Sequence, residues 1–310
     1  VRNLILGLAS FMMLVLVVTL FFYQRPSGGV QPPFGQLMSH QESPKTEQPA
    51  QPESLQPVNT DPISYTLQNN ALHITYNSGE DWVSVPISKN QLFGGEYQGD
   101  KSELIDGSYM LTKNQAAFLS TDGIDQQTVS LTYSTDQGKT WRKAAVTHAF
   151  PGVRFRKVQF LNSDFGYIIL SGGRTMSSEY SAVYLTHDGG KNWNETTNSG
   201  VTRLIYDGGF VDESTGFLSF GTINPEAPDL YVTTNRGKTW DKAEVHVPEK
   251  YHPMFVTAEV PTVEGDYLAV LVNQGPNGDY LGGQVKGKFI SKDGGKTWSF
   301  SAEVRSNEAE

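Results

Sequence analysis

Three cations stand almost side by side near the middle of the chain, Arg154, Arg156 and Lys157, in the run Val153-Arg154-Phe155-Arg156-Lys157-Val158. Arg203 holds the corresponding place in the next unit of a repeat described below. Guanidinium groups grip carboxylates and phosphates through paired N–H donors. Side chains at i and i+2 of a strand share a face. The alternation therefore predicts that Arg154 and Arg156 point to one side of a channel-lining strand. There they would form a basic patch for an acidic ligand on an otherwise acidic protein. The competing reading is internal pairing with Asp164, Asp207 or Asp212, the commoner fate of such groups.

Other chemistries find no residues. The six histidines, His40, His73, His148, His187, His246 and His252, form neither a His-Glu-x-x-His pattern nor a close carboxylate cluster. Asp122-Gly123-Ile124-Asp125 lacks the later ligands of a calcium loop. Gly-x-Ser-x-Gly and phosphate-loop patterns are absent. With no cysteine, disulfides, thiolate metal sites, cysteine nucleophiles and a lipid-bearing cysteine anchor are excluded. A catalytic set, a metal and a cofactor are accordingly not predicted. The formal charge of −9 disfavours nucleic acid as a partner.

The elements that must position these groups read as follows. Leu4 to Tyr23 is an apolar run interrupted only by Gly7, Ser10 and Thr19. It is long enough to span a bilayer as a helix and carries no small-x-small cleavage pattern. It is expected to be a transmembrane signal anchor over residues 4–23 behind a short tail, 1–3. The rest of the chain would then lie outside the cytoplasm, at a cell surface or in a periplasm. Residues 24–61 carry Pro26, Pro32, Pro33, Pro44, Pro49, Pro52 and Pro57 among Gln, Ser and Glu. That composition predicts a disordered, proline-stiffened tether.

A repeat carries the remainder. All five tryptophans have the same neighbours. Asn77 and Trp82, Asp136 and Trp141, Asp188 and Trp193, Asn235 and Trp240, Asp293 and Trp298 are each five positions apart. A glycine lies three before each Trp, a Ser or Thr seven before, and an apolar residue eight before. The physics is that of a hairpin turn. The Asx and hydroxyl side chains accept from turn amides, the glycine supplies a positive φ, and the Trp packs back across the turn. Lys139, Lys191, Lys238 and Lys296 follow four of these glycines and should face water. Between the boxes a strand–turn–strand step recurs, as in Val158 to Tyr167 and Gly209 to Phe217. Before the second box, Ala117 takes the place expected of its glycine.

One unit is thus four antiparallel strands at a period near ~50 residues, the pattern of a propeller blade. Residues 62–305 are predicted to form an all-β propeller of five, or six, such blades, followed by a tail at 306–310. The first unit offers only three strands, over Ile63 to Leu67, Leu72 to Tyr76 and Trp82 to Ile87, so closure would borrow a strand from a neighbour.

Ser134-Thr135-Asp136-Gln137-Gly138-Lys139-Thr140-Trp141 and Ser291-Lys292-Asp293-Gly294-Gly295-Lys296-Thr297-Trp298 match the Asp-box, or bacterial neuraminidase repeat. The chain resembles sialidase-like, sortilin-like and photosystem II assembly-factor-like propellers, the last most of all in its repeat unit. That resemblance implies a fold and leaves function to the site. Sialidases carry a Phe/Tyr-Arg-Ile-Pro motif and an arginine triad, and this chain has no arginine between Arg25 and Arg142. Two functions remain open. One is a membrane-tethered, non-enzymatic binding or assembly module for a protein or a cell-envelope glycan. The other is a glycan-active hydrolase whose carboxylate pair is unrecognised. The glycine-rich loop Asn273 to Gly283 is the longest irregular insertion and a candidate recognition loop.

Overall fold

The computed structural model of the protein describes residues 54–305, except 123–126, 177, 222, 223 and 277. The expected membrane helix at 4–23, the tails, and the tether up to residue 53 lie outside the described residues. Among the described residues, no helix is long and apolar enough to cross a membrane.

Among the described residues, five sheets follow one another in chain order. The first contains β1 (Ser64–Thr66), β2 (Ala71–Thr75) and β3 (Val83–Ser88). The second contains β4 (Tyr109–Leu111), β5 (Ala116–Asp122), β6 (Thr128–Ser134) and β7 (Arg142–Thr147). The third contains β8 (Val153–Phe160), β9 (Gly166–Thr175), β10 (Ser178–Thr186) and β11 (Asn194–Glu195). The fourth contains β12 (Leu204–Phe210), β13 (Gly216–Gly221), β14 (Asp229–Thr233) and β15 (Asp241–Lys242). In the fifth, β17 (Phe255–Ala258) and β18 (Thr262–Glu264) both pair with β19 (Tyr267–Gln274), which leads on to β20 (Val285–Ser291) and β21 (Thr297–Arg305). A strand from the end of the fourth unit, β16 (Glu244–His246), runs parallel along β21 and covers its edge.

Within each four-stranded sheet neighbouring strands are antiparallel, the arrangement of a propeller blade. The strands read as short apolar runs because both sheet faces are packed. Each of four buried apolar clusters joins one sheet to the next. Tyr65 and Phe118 belong to the first seam, Leu131 and Ile168 to the second, Ile169 and Phe220 to the third, and Phe217 and Phe289 to the fourth. None of these four clusters joins the fifth sheet to the first.

The five Asp-box turns are built alike. The box hydroxyl accepts from the glycine amide at 2.9 Å for Thr75 and Gly79, 2.8 Å for Ser134 and Gly138, 3.0 Å for Thr186 and Gly190, and 2.9 Å for Thr233 and Gly237 and for Ser291 and Gly295. The Asx Oδ1 accepts from the amide four residues on, Asp81, Thr140, Asn192, Thr239 and Thr297, at 2.9–3.0 Å. Every box glycine has a positive φ, from 72° to 89°. The lysines that follow four of these glycines are exposed. Each later box also leans on the sheet before it. A Cβ on Gly138 would stand 2.7 Å from Val83, and one on Gly295 would stand 2.4 Å from the Phe217 ring. Trp298 is fully buried, while the other four tryptophans are half-buried.

Two sequence expectations need correcting. The residue equivalent to Gly166 and Gly216 in the second unit is Ala116, not Ala117. Gly166, Gly216 and Ala116 each stand opposite the box hydroxyl residue, at Thr186, Thr233 and Ser134. The glycines lie under the Phe160 and Phe210 rings, 2.6 Å from where a Cβ would sit. Ala116 instead pairs with Leu111, a smaller side chain, and the turn between them is one residue shorter. Nor, among the described residues, does the first sheet borrow a strand from a neighbouring blade. Its box lies between β2 and β3, so the innermost strand is the one it lacks. The residues just upstream bond to that sheet, the Val58 amide to the Tyr65 carbonyl at 2.9 Å and the Gln56 amide to Gln68 Oε1 at 2.6 Å. Residues 54–61, the end of the expected tether, are therefore attached to the propeller.

Candidate binding face

The predicted basic strand is β8, and the four cations do not act together. The pairing of β8 with β9 shifts at Arg154. Val153 lies opposite Gly172 and Phe155 opposite Ser171, which leaves Arg154 as the extra residue of a β-bulge. The bulge breaks the alternation, so Arg154 and Arg156 point to opposite faces. Arg154 reaches towards the fourth sheet. Its Nε and Nη2 donate to the two oxygens of Glu179 at 2.6 and 2.5 Å, and Nη2 also donates to the Ile205 carbonyl at 2.9 Å. Lys157 points the same way and pairs with Asp207 at 2.7 Å. Arg156 turns back towards the first and second sheets.

Arg156 is 2% exposed and, among the described residues, meets no carboxylate. Its guanidinium donates to the carbonyls of Leu92, Gly94 and Val153 at 3.2, 2.5 and 3.4 Å, while Nε has no partner among the described residues. Burial pushes the guanidinium down to about 10, which leaves it charged at neutral pH. The connection between the first two sheets runs along the inner edge of β8. The Glu96 amide donates to the Val153 carbonyl and the Val158 amide to the Gly107 carbonyl, both at 2.8 Å. The inner edge of β8 therefore does not line an open channel, and this connection covers it. Of the predicted binding residues, Arg156 is a buried brace, and Arg154 and Lys157, each partly exposed, are paired with carboxylates of the molecule. Asp207 was among the partners considered from sequence, whereas Glu179 was not.

Arg203 is different. It lies just before β12 and shares Asp229 with Lys242. The Arg203 Nε binds one carboxylate oxygen, and Lys242 Nζ stands 3.2 Å from the other. Arg203 Nη2 also donates to the Tyr231 hydroxyl at 3.1 Å. These side chains line a cavity of about 520 Å³ that also takes in Glu226. A second cavity, of about 320 Å³, adjoins it and shares Asn224 and Pro225 with it. Its walls include Pro253, Met254, Pro276 and Tyr280.

This groove lies at the end of the sheets opposite the Asp-boxes. The boxes sit beside the tight turns that link the first two strands of each unit, as shown by the Gly189 amide on the Asp164 carbonyl and the Arg236 amide on the Ser214 carbonyl. The groove is built from residues of the loops at the other ends, 224–228, 275–276 and 278–280, with the connection that carries Pro253 and Met254. Gln274 pins the longer loop. Its Nε2 donates to the carbonyls of Tyr280 and Val285, and its Oε1 accepts from the Tyr280 amide, each at 2.9 Å. The Tyr280 hydroxyl reaches Glu303 at 3.2 Å. Sequence reading singled out this loop but missed 222–228, whose Pro225 and Pro228 bracket an insertion between two strands. Among the described residues, no three His, Asp or Glu side chains come together as a metal site.

Among solved structures, an ancestral GH74 enzyme aligns at 17% identity and a TM-score of 0.43, over 82% of this chain and 32% of that one. A GH74 xyloglucanase from Xanthomonas campestris aligns at 17% identity and a TM-score of 0.40, over 75% and 34%. A GH43_1 enzyme from Xanthomonas citri aligns at 10% and 0.39, over 69% and 75%. The chain spans about a third of the length of the two GH74 proteins, and likenesses of this size say nothing of its chemistry. No curated protein matches the sequence. The BNR/Asp-box repeat matches residues 289–300. The DUF6242 beta propeller domain matches residues 36–264, most of the chain, and the protein belongs to that family.

Proposed function

We propose that the protein is a membrane-tethered, extracytoplasmic binding module that holds a protein or envelope polymer in the groove between the loops of its fourth and fifth sheets. The observation that carries this reading is the continuity of the two cavities through Asn224 and Pro225, on walls pinned by Gln274. Pockets with apolar walls and a few placed polar groups are the usual form of a ligand site. The apolar run at 4–23 supports the tether.

A photo-crosslinking residue at position 224 of the full chain, in source membranes, tests the reading. One saturable product is expected, lost in Tyr280→Ala and not formed from position 139 at the Asp-box end. Equal labelling from both ends would sink the proposal.

The hydrolase reading has one specific support. Glu226 and Asp279 both line the groove, and among the described residues neither side chain has a partner. Both are exposed, without the apolar shielding that a glycosidase acid relies on. Release of reducing sugar by the wild type, abolished in Glu226→Gln and Asp279→Asn, would favour hydrolysis over binding.

A further inference from the structure

We infer that Arg203 and Lys242 form a subsite for a carboxylate carried on an acidic glycan chain; this rests on the groove reading above. Two cations share the single carboxylate of Asp229, so these three side chains carry one net positive charge, which the separate Glu226 carboxylate on the same cavity balances overall. The guanidinium spends Nε on Asp229 and one Nη2 hydrogen on Tyr231, and among the described residues Nη1 has no partner. Asp229 is mostly buried, whereas Lys242 is 62% exposed and Arg203 39%. The carboxylate thus acts as a fixed base that holds both cations with donors turned outward. Neither cation pairs with Glu226, the other carboxylate of the cavity, although that side chain has no partner among the described residues. A forked donor held in this way is suited to a planar oxyanion.

The neighbouring cavity indicates what carries the charge. Three of its wall residues, Pro225, Pro253 and Pro276, have no amide hydrogen. Every wall residue but Gln274 also lies outside the strands, so a peptide backbone finds no strand edge to extend there. The wall offers instead the ring of Tyr280 and the side-chain amide of Asn224. A ring with hydroxyl groups on its rim and an apolar face suits such a wall, and the adjoining cation pair takes the charge of a uronic acid.

The test is calorimetric titration of the detergent-solubilised full chain with a uronic-acid hexasaccharide. Its carboxyl-reduced neutral counterpart, a glutamate hexapeptide and inorganic phosphate are titrated in parallel. The acidic hexasaccharide is expected to bind at least about tenfold more tightly than the neutral one, and its affinity to fall as salt is raised. Lys242→Met and Arg203→Met should each weaken it roughly tenfold, the scale for losing one charge-assisted bond. Lys242 is exposed, so its replacement leaves the fold in place. Glu226→Gln should tighten binding, because it removes a like charge. Acidic and neutral hexasaccharides bound alike and both lost in Tyr280→Ala would overturn the cation subsite and leave the groove reading intact. Tighter binding of the glutamate peptide, or displacement of the uronate by equimolar phosphate, would overturn the glycan assignment. Absence of binding by all four probes would also overturn it, and the crosslink from position 224 then decides the groove reading by itself.

Discussion

The Glu179 carboxylate, fully buried on β10, receives the Arg154 guanidinium from β8 and, at 2.8 Å, the amide of Ile205 on β12, so one side chain ties the third sheet to the fourth. Removing the Glu179 carboxylate leaves the partly exposed Arg154 charged and unpaired and the Ile205 amide without its acceptor, at a cost of about 2–3 kcal/mol. Glu179→Gln should therefore lower the urea midpoint strongly. The double replacement Arg154→Met/Glu179→Leu should recover part of the loss. A double variant as unstable as the sum of the singles would show that the two side chains do not act as a pair.

Arg156 makes a separate prediction. The Leu92 and Gly94 carbonyls would lose this donor in Arg156→Met, at a cost of roughly 2–3 kcal/mol in total, while the Val153 carbonyl keeps the Glu96 amide. The connection along β8 should loosen first, which hydrogen exchange at the Glu96 amide would report. Arg156→Lys should rescue little, because one ammonium group does not reproduce the planar fork that reaches Leu92 and Gly94 together.

Three of the five boxes carry Asp, and their carboxyls are held at about 2, below the usual 3.8. The main cause is the Thr140 hydroxyl for Asp136 and the Asn192 side-chain amide for Asp188. For Asp293 burial pushes upward and is outweighed by the Thr297 amide and hydroxyl. A folded-state value below the unfolded one means that the stabilisation is complete above about pH 4 and is lost as the pH falls through about 2. Asn77 and Asn235 make the same turns without titrating. Asp136→Asn should accordingly remove about a third of the boxes' share of the pH dependence between pH 4 and 2. Acid unfolding followed by tryptophan fluorescence measures it, and an unchanged slope would contradict the assignment.

Glycine-to-alanine changes should divide by surroundings. Gly200 has a φ of +73° and nothing within 4 Å of a new Cβ, so Gly200→Ala should cost only about 1–2 kcal/mol in backbone strain. Gly295 has a φ of +88° and the Phe217 ring 2.4 Å from that position. Gly295→Ala adds overpacking of about 1–3 kcal/mol to the same strain. Thermal unfolding of the two variants should separate by several degrees.

The repeat was legible because its parts are local. A hydroxyl residue, an Asx, a glycine and a Trp within eight positions make a turn whose defining bonds close inside that window, as between Ser134, Asp136, Gly138 and Thr140. The box order also showed that the first unit would be a strand short. Arg203 was legible as a cation, but its site was not. Lys242 and Tyr231 join it across the width of a sheet, and residues 224–228 line the same cavity.

What the sequence by itself determined is therefore the unit, its five-fold recurrence and the absence of a recognised catalytic set. Tertiary structure alone decided which charges are free. Arg154 and Arg156 are two residues apart and read as a patch, yet a single bulged residue turns them to opposite faces. A bulge is set by how two strands and their neighbours fit, not by the residue types in one strand. The same packing paired three cations with carbonyls and carboxylates of their own and other units and left Arg203 facing a cavity.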